Sequence, residues 1–178
     1  MEENLKQYGF YIERTAKRMK QHLQRRFNAL NYGITVDQWI ILDVLYEDDG
    51  MSQYEIADRT YKDAPTVTRI IDLLCKKGLT KREIDESDRR RFNIFLTQTG
   101  KEKVEEILPV VKEFRHQGLT GLCADDYQRL MRILDTIFDN FNKDKVSSQR
   151  ISYTQTSGSL DSHKFPLTFQ AKTYILLP

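Results

Sequence analysis

Residues Asp88-Arg89-Arg90-Arg91-Phe92-Asn93-Ile94-Phe95-Leu96-Thr97 decide the fold of this chain. Three consecutive arginines stand where a hairpin would turn. An apolar strand follows at once and ends in Leu-Thr, where a helix can begin. Phe92, Ile94 and Leu96 alternate with Asn93 and Phe95, the period-two pattern of a half-buried strand. A partner strand over Thr80–Ile84 completes a short β-hairpin with a basic tip. Like charges repel one another, so three arginines gain little in an isolated chain beyond solubility. Opposite a phosphate backbone they release counterions and bind, and arginine on an exposed β-loop suits the narrow, negative minor groove of DNA.

Working back toward the N-terminus, residues 52–78 read as a helix-turn-helix. Ser52-Gln53-Tyr54-Glu55 is a capping box that starts a short helix carrying Ile56 and Ala57. Thr60-Tyr61-Lys62-Asp63 is the turn, without the glycine often found there. Pro65 suits the first turn of the next helix, where its missing N–H is harmless. Val67, Ile70, Ile71 and Leu74 give that helix one apolar face, and Lys76-Lys77-Gly78 closes it. The second helix of such a unit enters the major groove. Its N-terminal residues Pro65, Thr66, Thr68 and Arg69 would face the bases: arginine bonds guanine bidentately, and threonine offers a hydroxyl or a methyl. An ordinary solvated helix face would account for these residues as well. The adjoining hairpin favours DNA.

The outer parts of the chain read as long helices. Leu5, Tyr8, Ile12, Ala16, Met19, Leu23, Phe27 and Leu30 recur at helical spacing, a stripe that needs other helices or a second subunit to cover it. Thr35-Val36-Asp37-Gln38 is another capping box, and Trp39 through Leu45 is apolar nearly all round, as in a buried central helix. Thr99-Gly100-Lys101-Glu102 resembles a third capping box. It would open a helix marked by Val104, Ile107, Leu108, Val111 and Phe114, with Pro109 inside it as a source of a kink. Tyr127, Leu130, Leu134, Ile137, Phe138 and Phe141 mark a last helix. The expected fold is mainly α with a small β-hairpin wing.

Composition limits the alternatives. Net charge is only +2, with 30% charged residues, so the whole chain is no strongly basic binder. The distribution is more telling: residues 34–51 carry five acids and no Lys or Arg, whereas 52–101 carry 11 Lys/Arg against 8 Asp/Glu. No apolar run is long enough for a transmembrane helix, and Met-Glu-Glu-Asn does not begin a signal peptide, which leaves a cytoplasmic address as the expectation. Cys75 and Cys123 are read as reduced thiols. No phosphate loop, His-Glu-x-x-His or Cys-x-x-Cys is present, and His22, His116 and His163 show no ligand spacing. An enzyme, a cofactor and a metal are therefore not expected, and neither is a membrane partner.

The order of elements, together with Pro65-Thr66-Val67-Thr68-Arg69, Lys77-Gly78-Leu79 and Asp85-Glu86-Ser87-Asp88-Arg89-Arg90-Arg91 through Leu96-Thr97-Gln98-Thr99-Gly100, resembles the MarR family of bacterial transcriptional regulators over about residues 5–143. The resemblance implies a winged helix-turn-helix over 35–97 and a helical dimerisation region built from both termini, 1–34 and 98–145. It further implies homodimers on palindromic operators in double-stranded DNA, usually repressing and often released by a small ligand. By the motif match, Arg90 would enter the minor groove with Asp88 holding it, flanked by Arg89 and Arg91. Tyr8, Tyr11, Arg14, Tyr32 and Trp39 could line a pocket for an anionic or aromatic ligand, although aromatics at helical spacing also serve as core. Residues 146–178 change composition and are expected to be a disordered tail. The rival reading is a winged helix used for protein–protein contact without DNA.

Overall fold

The computed structural model describes residues 7–85, 88 and 91–153, with side-chain environments through residue 142. Helix α1 spans Tyr8–Ala29 and α2 Val36–Glu47, followed by the two-residue strand β1, Met51–Ser52. Helices α3, Gln53–Thr60, and α4, Ala64–Lys76, lead into strands β2, Thr80–Ile84, and β3, Phe92–Leu96. Helices α5, Gln98–Gly118, and α6, Ala124–Tyr153, complete the chain. The expected mainly helical fold with a hairpin wing is the observed one. The chain divides into two compact units, 1–121 and 122–178.

The first unit is organised around α2. Thr35 caps it as the sequence suggests: its hydroxyl accepts the Gln38 N–H, and the Gln38 side chain accepts the Thr35 N–H. Val36, Trp39, Ile41, Leu42 and Leu45 are all buried, because a helix surrounded by neighbours has no solvent face to keep polar. Ile56 of α3, Val67, Ile71 and Leu74 of α4, Ile94 of β3, and Val104, Ile107 and Val111 of α5 close over it in one continuous core. Helix α1 joins this core only through Leu23 and Phe27, while every residue from Gln7 to Gln21 is exposed. Phe27 packs edge-on against both Tyr32 and Trp39.

The sheet has strand order β1-β3-β2, antiparallel throughout. The hairpin register pairs Thr80 with Leu96, Arg82 with Ile94, and Ile84 with Phe92. Strand β1 was not legible in the sequence. Two residues carry no alternation, and the pairing of Met51 with Ile94 is set by the neighbouring strand. Gly50, at φ +82°, makes the turn into β1 possible, and the Phe95 ring lies where a Cβ would stand.

Helix α5 begins earlier than the Thr99 box implies. Its cap is Thr97, whose hydroxyl accepts the Gly100 N–H at 3.0 Å. The reason is Gly100: a Cβ there would collide with the Leu79 carbonyl, so the first turn can lie against the segment joining α4 to β2 only with glycine at this place. The Leu79 carbonyl also accepts the Thr97 N–H at 3.1 Å.

In the second unit, the Cys123 N–H donates to Asp126 Oδ2 at the start of α6. Leu130, Met131, Ile133, Phe138 and Phe141 are exposed along this helix. It runs to Tyr153, past the boundary expected at residue 145, so residues 146–153 are helical where a disordered tail was expected. The remainder of the expected tail, 154–178, lies outside the described residues. Neither cysteine forms a disulfide: Cys75 is half-buried against the core, with Sγ 3.3 Å from Thr80 Oγ1, and Cys123 is exposed.

Candidate nucleic-acid interface

Helices α3 and α4 meet through a turn that Tyr61 makes in the left-handed conformation, φ 51°. The missing glycine is thus replaced by a tyrosine that tolerates its conformation at a cost of about 1 kcal/mol. Asp63 then caps α4. Its Oδ1 accepts the Thr66 N–H and its Oδ2 the Thr66 hydroxyl, both at 2.8 Å. These bonds hold the Asp63 carboxyl below its ordinary pKa. The cap was missed at the sequence level because Thr60–Asp63 read as undifferentiated turn. Asp followed by Ala-Pro-Thr was the available signal.

Helix α4 buries Val67, Ile70, Ile71 and Leu74 and turns the opposite face outward. Pro65, Thr66 and Arg69 are exposed, as expected of a reading face. Thr68 is half-buried, and its hydroxyl lies 2.9 Å from the Ala64 carbonyl and 3.2 Å from Gln53 Oε1. The Thr66 hydroxyl is likewise engaged by the cap. Of the four candidate major-groove residues, Pro65 and Arg69 therefore present the most outward chemistry. Asp72 and Lys76 continue the same face by helical spacing.

Asp72 fixes this helix to the wing. Its Oδ1 lies 2.7 Å from Arg82 Nη2 on β2. Arg82 was not singled out from sequence, since the partner of a strand arginine depends on which helix lies beneath it.

The wing tip is organised by Asp85. Its Oδ1 accepts the Asp88 N–H at 2.9 Å and its Oδ2 accepts the Asn93 side-chain amide at 2.8 Å. The Asp85 N–H donates to the Arg91 carbonyl, and the Arg91 N–H donates to the Asp88 carbonyl. Asp88 was expected to hold Arg90. Arg89 and Arg90 lie outside the described residues, and among the described residues Asp88 Oδ2 faces Arg91 Nε at 3.7 Å. Arg91 is exposed. At the base of the wing, Glu55 is held below its ordinary pKa by bonds from the Ser52 hydroxyl and N–H, with the charges of Arg91 and Arg59 adding to the effect.

A separate ionic node braces the helix-turn-helix from behind. Asp37 of α2 receives Lys20 of α1 at 2.8 Å and Lys62 of the turn at 2.7 Å. Burial raises the Asp37 pKa, but the two ammonium groups outweigh it and leave the value lowered.

The five candidate ligand-pocket residues separate into two groups. Trp39 is 2% exposed and belongs to the core, with Tyr32 half-buried beside it. Tyr8 and Tyr11 are exposed near the start of α1, and the Arg14 guanidinium lies 4.2 Å from the Tyr11 ring centre. From Tyr11 to Phe27 the helix rises about 24 Å. Within the first unit, then, these residues do not meet around one cavity. Among the described residues no cluster of His, Cys, Asp or Glu could hold a metal ion, and no helix is long and apolar enough to cross a membrane.

Comparison with known proteins agrees with this architecture. The family model described as "MarR family" matches residues 32–91, which hold α2 through β2. The HTH-type transcriptional repressor IacR of Pseudomonas putida is 25% identical over 131 residues, covering 74% of this chain and 77% of that protein. The HTH-type transcriptional regulator TtmR of Methylorubrum extorquens is 30% identical over 115 residues, covering 63% of this chain and 56% of that protein. The crystal structure of an S. aureus MepR–DNA complex superposes with a TM-score of 0.69 at 27% identity, covering 75% of this chain and 97% of that one. The chain matches MarR-family helix-turn-helix regulators by family model, by relatives and by fold.

Proposed function

We propose that the chain acts as a homodimeric repressor that reads palindromic operators and is released by a small anionic or aromatic ligand. Its general activity, regulation of transcription through DNA binding, follows from the MarR match. The observation that carries the reading is the Asp72–Arg82 link, which holds the exposed face of α4 and the basic wing as one surface. In this reading Pro65, Thr66, Thr68 and Arg69 enter the major groove, and Asp88, Arg89, Arg90 and Arg91 form the minor-groove wing.

Dimerisation through 1–34 and 98–145 is supported by the apolar side chains exposed on α1 and α6, among them Phe10, Ile12, Met19, Ile133 and Phe141. Repression is supported by the likeness to IacR. Release by a ligand rests on the family resemblance.

The test is titration of the purified protein against fragments of its own upstream DNA and against unrelated DNA, at two salt concentrations. Tight binding to one fragment, weakening steeply with salt, is the expected result. Sedimentation should give the mass of a dimer. Weak binding that is equal on all DNA, with and without candidate phenolic ligands, would refute the reading in favour of a protein-contact module.

A further inference from the structure

The hairpin carries an apolar pair that the described residues leave exposed. Ile84 and Phe92 face each other directly across β2 and β3, yet they are 59% and 47% exposed. Side chains alternate along a strand, so this pair shares a face with Thr80, Arg82, Ile94 and Leu96. Thr80, Ile94 and Leu96 are buried, and Arg82 reaches Asp72 on α4. The inward face of the hairpin therefore runs past the end of the core. Its last two residues lie beyond the point where the reading helix stops covering it.

We propose that Ile84 and Phe92 form an apolar contact patch for duplex DNA, seated against the deoxyribose edge of the minor groove. The proposal rests on the DNA-binding reading given above and adds to it a non-ionic contact. Two features select DNA as the occupant. The patch shares its face with the residue that holds the reading helix, and exposed Arg91 immediately precedes Phe92 with a charge complementary to phosphate. The walls of the minor groove are built of sugar C–H groups, and Ile and Phe are side chains that other minor-groove proteins set against base steps. A cross-strand aromatic–aliphatic pair also stabilises a hairpin, so the test must separate the two roles.

The probe is a labelled duplex enriched from a random pool on the wild-type protein. An Ile84→Thr, Phe92→Thr double variant keeps strand propensity and removes the apolar surface. Affinity should fall about tenfold or more, which is about 1.4 kcal/mol or more. The slope of log affinity against log salt should stay at the wild-type value, because no phosphate contact is lost, whereas Arg91→Ala should reduce that slope by about 0.9. The thermal midpoint should fall by no more than the few degrees that losing one cross-strand pair allows. Unchanged affinity overturns the proposal. So does a loss accompanied by a midpoint lowered well beyond that or by a smaller salt slope, which would make the pair a strut of the hairpin.

A Phe92→Trp variant gives a second measurement that leaves the strand apolar. Its emission should change on adding the duplex and stay constant on dilution without DNA. Emission insensitive to the duplex overturns the proposal, and emission that changes on dilution assigns the patch to a second copy of the chain. A wild-type protein that enriches no duplex overturns the DNA-binding reading itself, an outcome visible before any variant is made.

Discussion

Arg82 Nη2 lies 2.7 Å from Asp72 Oδ1, tying the second strand to α4 and neutralising an acid on the outward face of that helix. An exposed pair of this kind adds no more than about 1 kcal/mol to stability. Its larger effect should be on affinity. Arg82→Ala should weaken DNA binding, because the bare Asp72 carboxylate then repels phosphate. A double Asp72→Ala, Arg82→Ala variant should bind more tightly than Arg82→Ala alone. Fluorescence anisotropy on the four proteins of this cycle checks the expectation, and strictly additive losses would contradict it.

Arg69 is the exposed arginine of α4 with bidentate capacity. Arg69→Ala should cost about 1–3 kcal/mol on the selected duplex and relax preference at one base pair. Affinity for unrelated DNA should change far less. Equal losses on both kinds of DNA would recast Arg69 as a phosphate contact.

Gly100→Ala should destabilise the first unit by about 1–3 kcal/mol, the range for forcing an extra methyl into a filled space. The collision with the Leu79 carbonyl is with backbone, which cannot swing aside. Thr97→Ala, which removes the cap and the 2.6 Å bond from the Thr97 hydroxyl to the Gly78 carbonyl, should cost about 1–2 kcal/mol. Urea unfolding of both variants ranks them, and a harmless Gly100→Ala would mean that α5 can begin elsewhere.

Acid should loosen the brace behind the helix-turn-helix. The Asp37 carboxyl is lowered in the folded chain by Lys20 and Lys62 against the effect of burial. The folded state therefore binds its proton less readily than the unfolded state. The stability it contributes is present above the unfolded value and is lost as pH falls through the folded one. Asp43 has the opposite sign. Burial raises its pKa against the opposing charge of Arg115, so its contribution is full below the unfolded value and lost as pH rises through the folded one. Urea midpoints across the acid range should fall less steeply for Asp37→Asn than for wild type, and more steeply for Asp43→Asn.

The hairpin and the central helix were legible because local signals and tertiary demand agree there. The alternation at Phe92–Leu96 and the Thr35–Gln38 box each specify an element without reference to the rest of the chain. The start of α5 was displaced by two residues because Thr97 and Thr99 are equivalent as caps. Contacts with the Gly78 and Leu79 carbonyls choose between them. The role of Asp85 was hidden for a similar reason: an acid in a turn has many uses, and its bonds to Asp88 and Asn93 exist only once the hairpin has closed. The aromatic grouping was drawn from composition rather than from contact: within the first unit Tyr8 and Tyr11 stand exposed on α1 while Tyr32 and Trp39 pack at the core.

Helix α1 leaves Gln7 through Gln21 exposed, and a helical stretch of that length is marginal in water by itself. Its order then depends on whatever covers it. Under the proposed self-association, the stability of this arm is a bimolecular quantity, set by protein concentration through mass action. Amide exchange along Tyr8–Met19 becomes a gauge of subunit concentration: it should quicken on dilution, while the amides of α2 keep their protection.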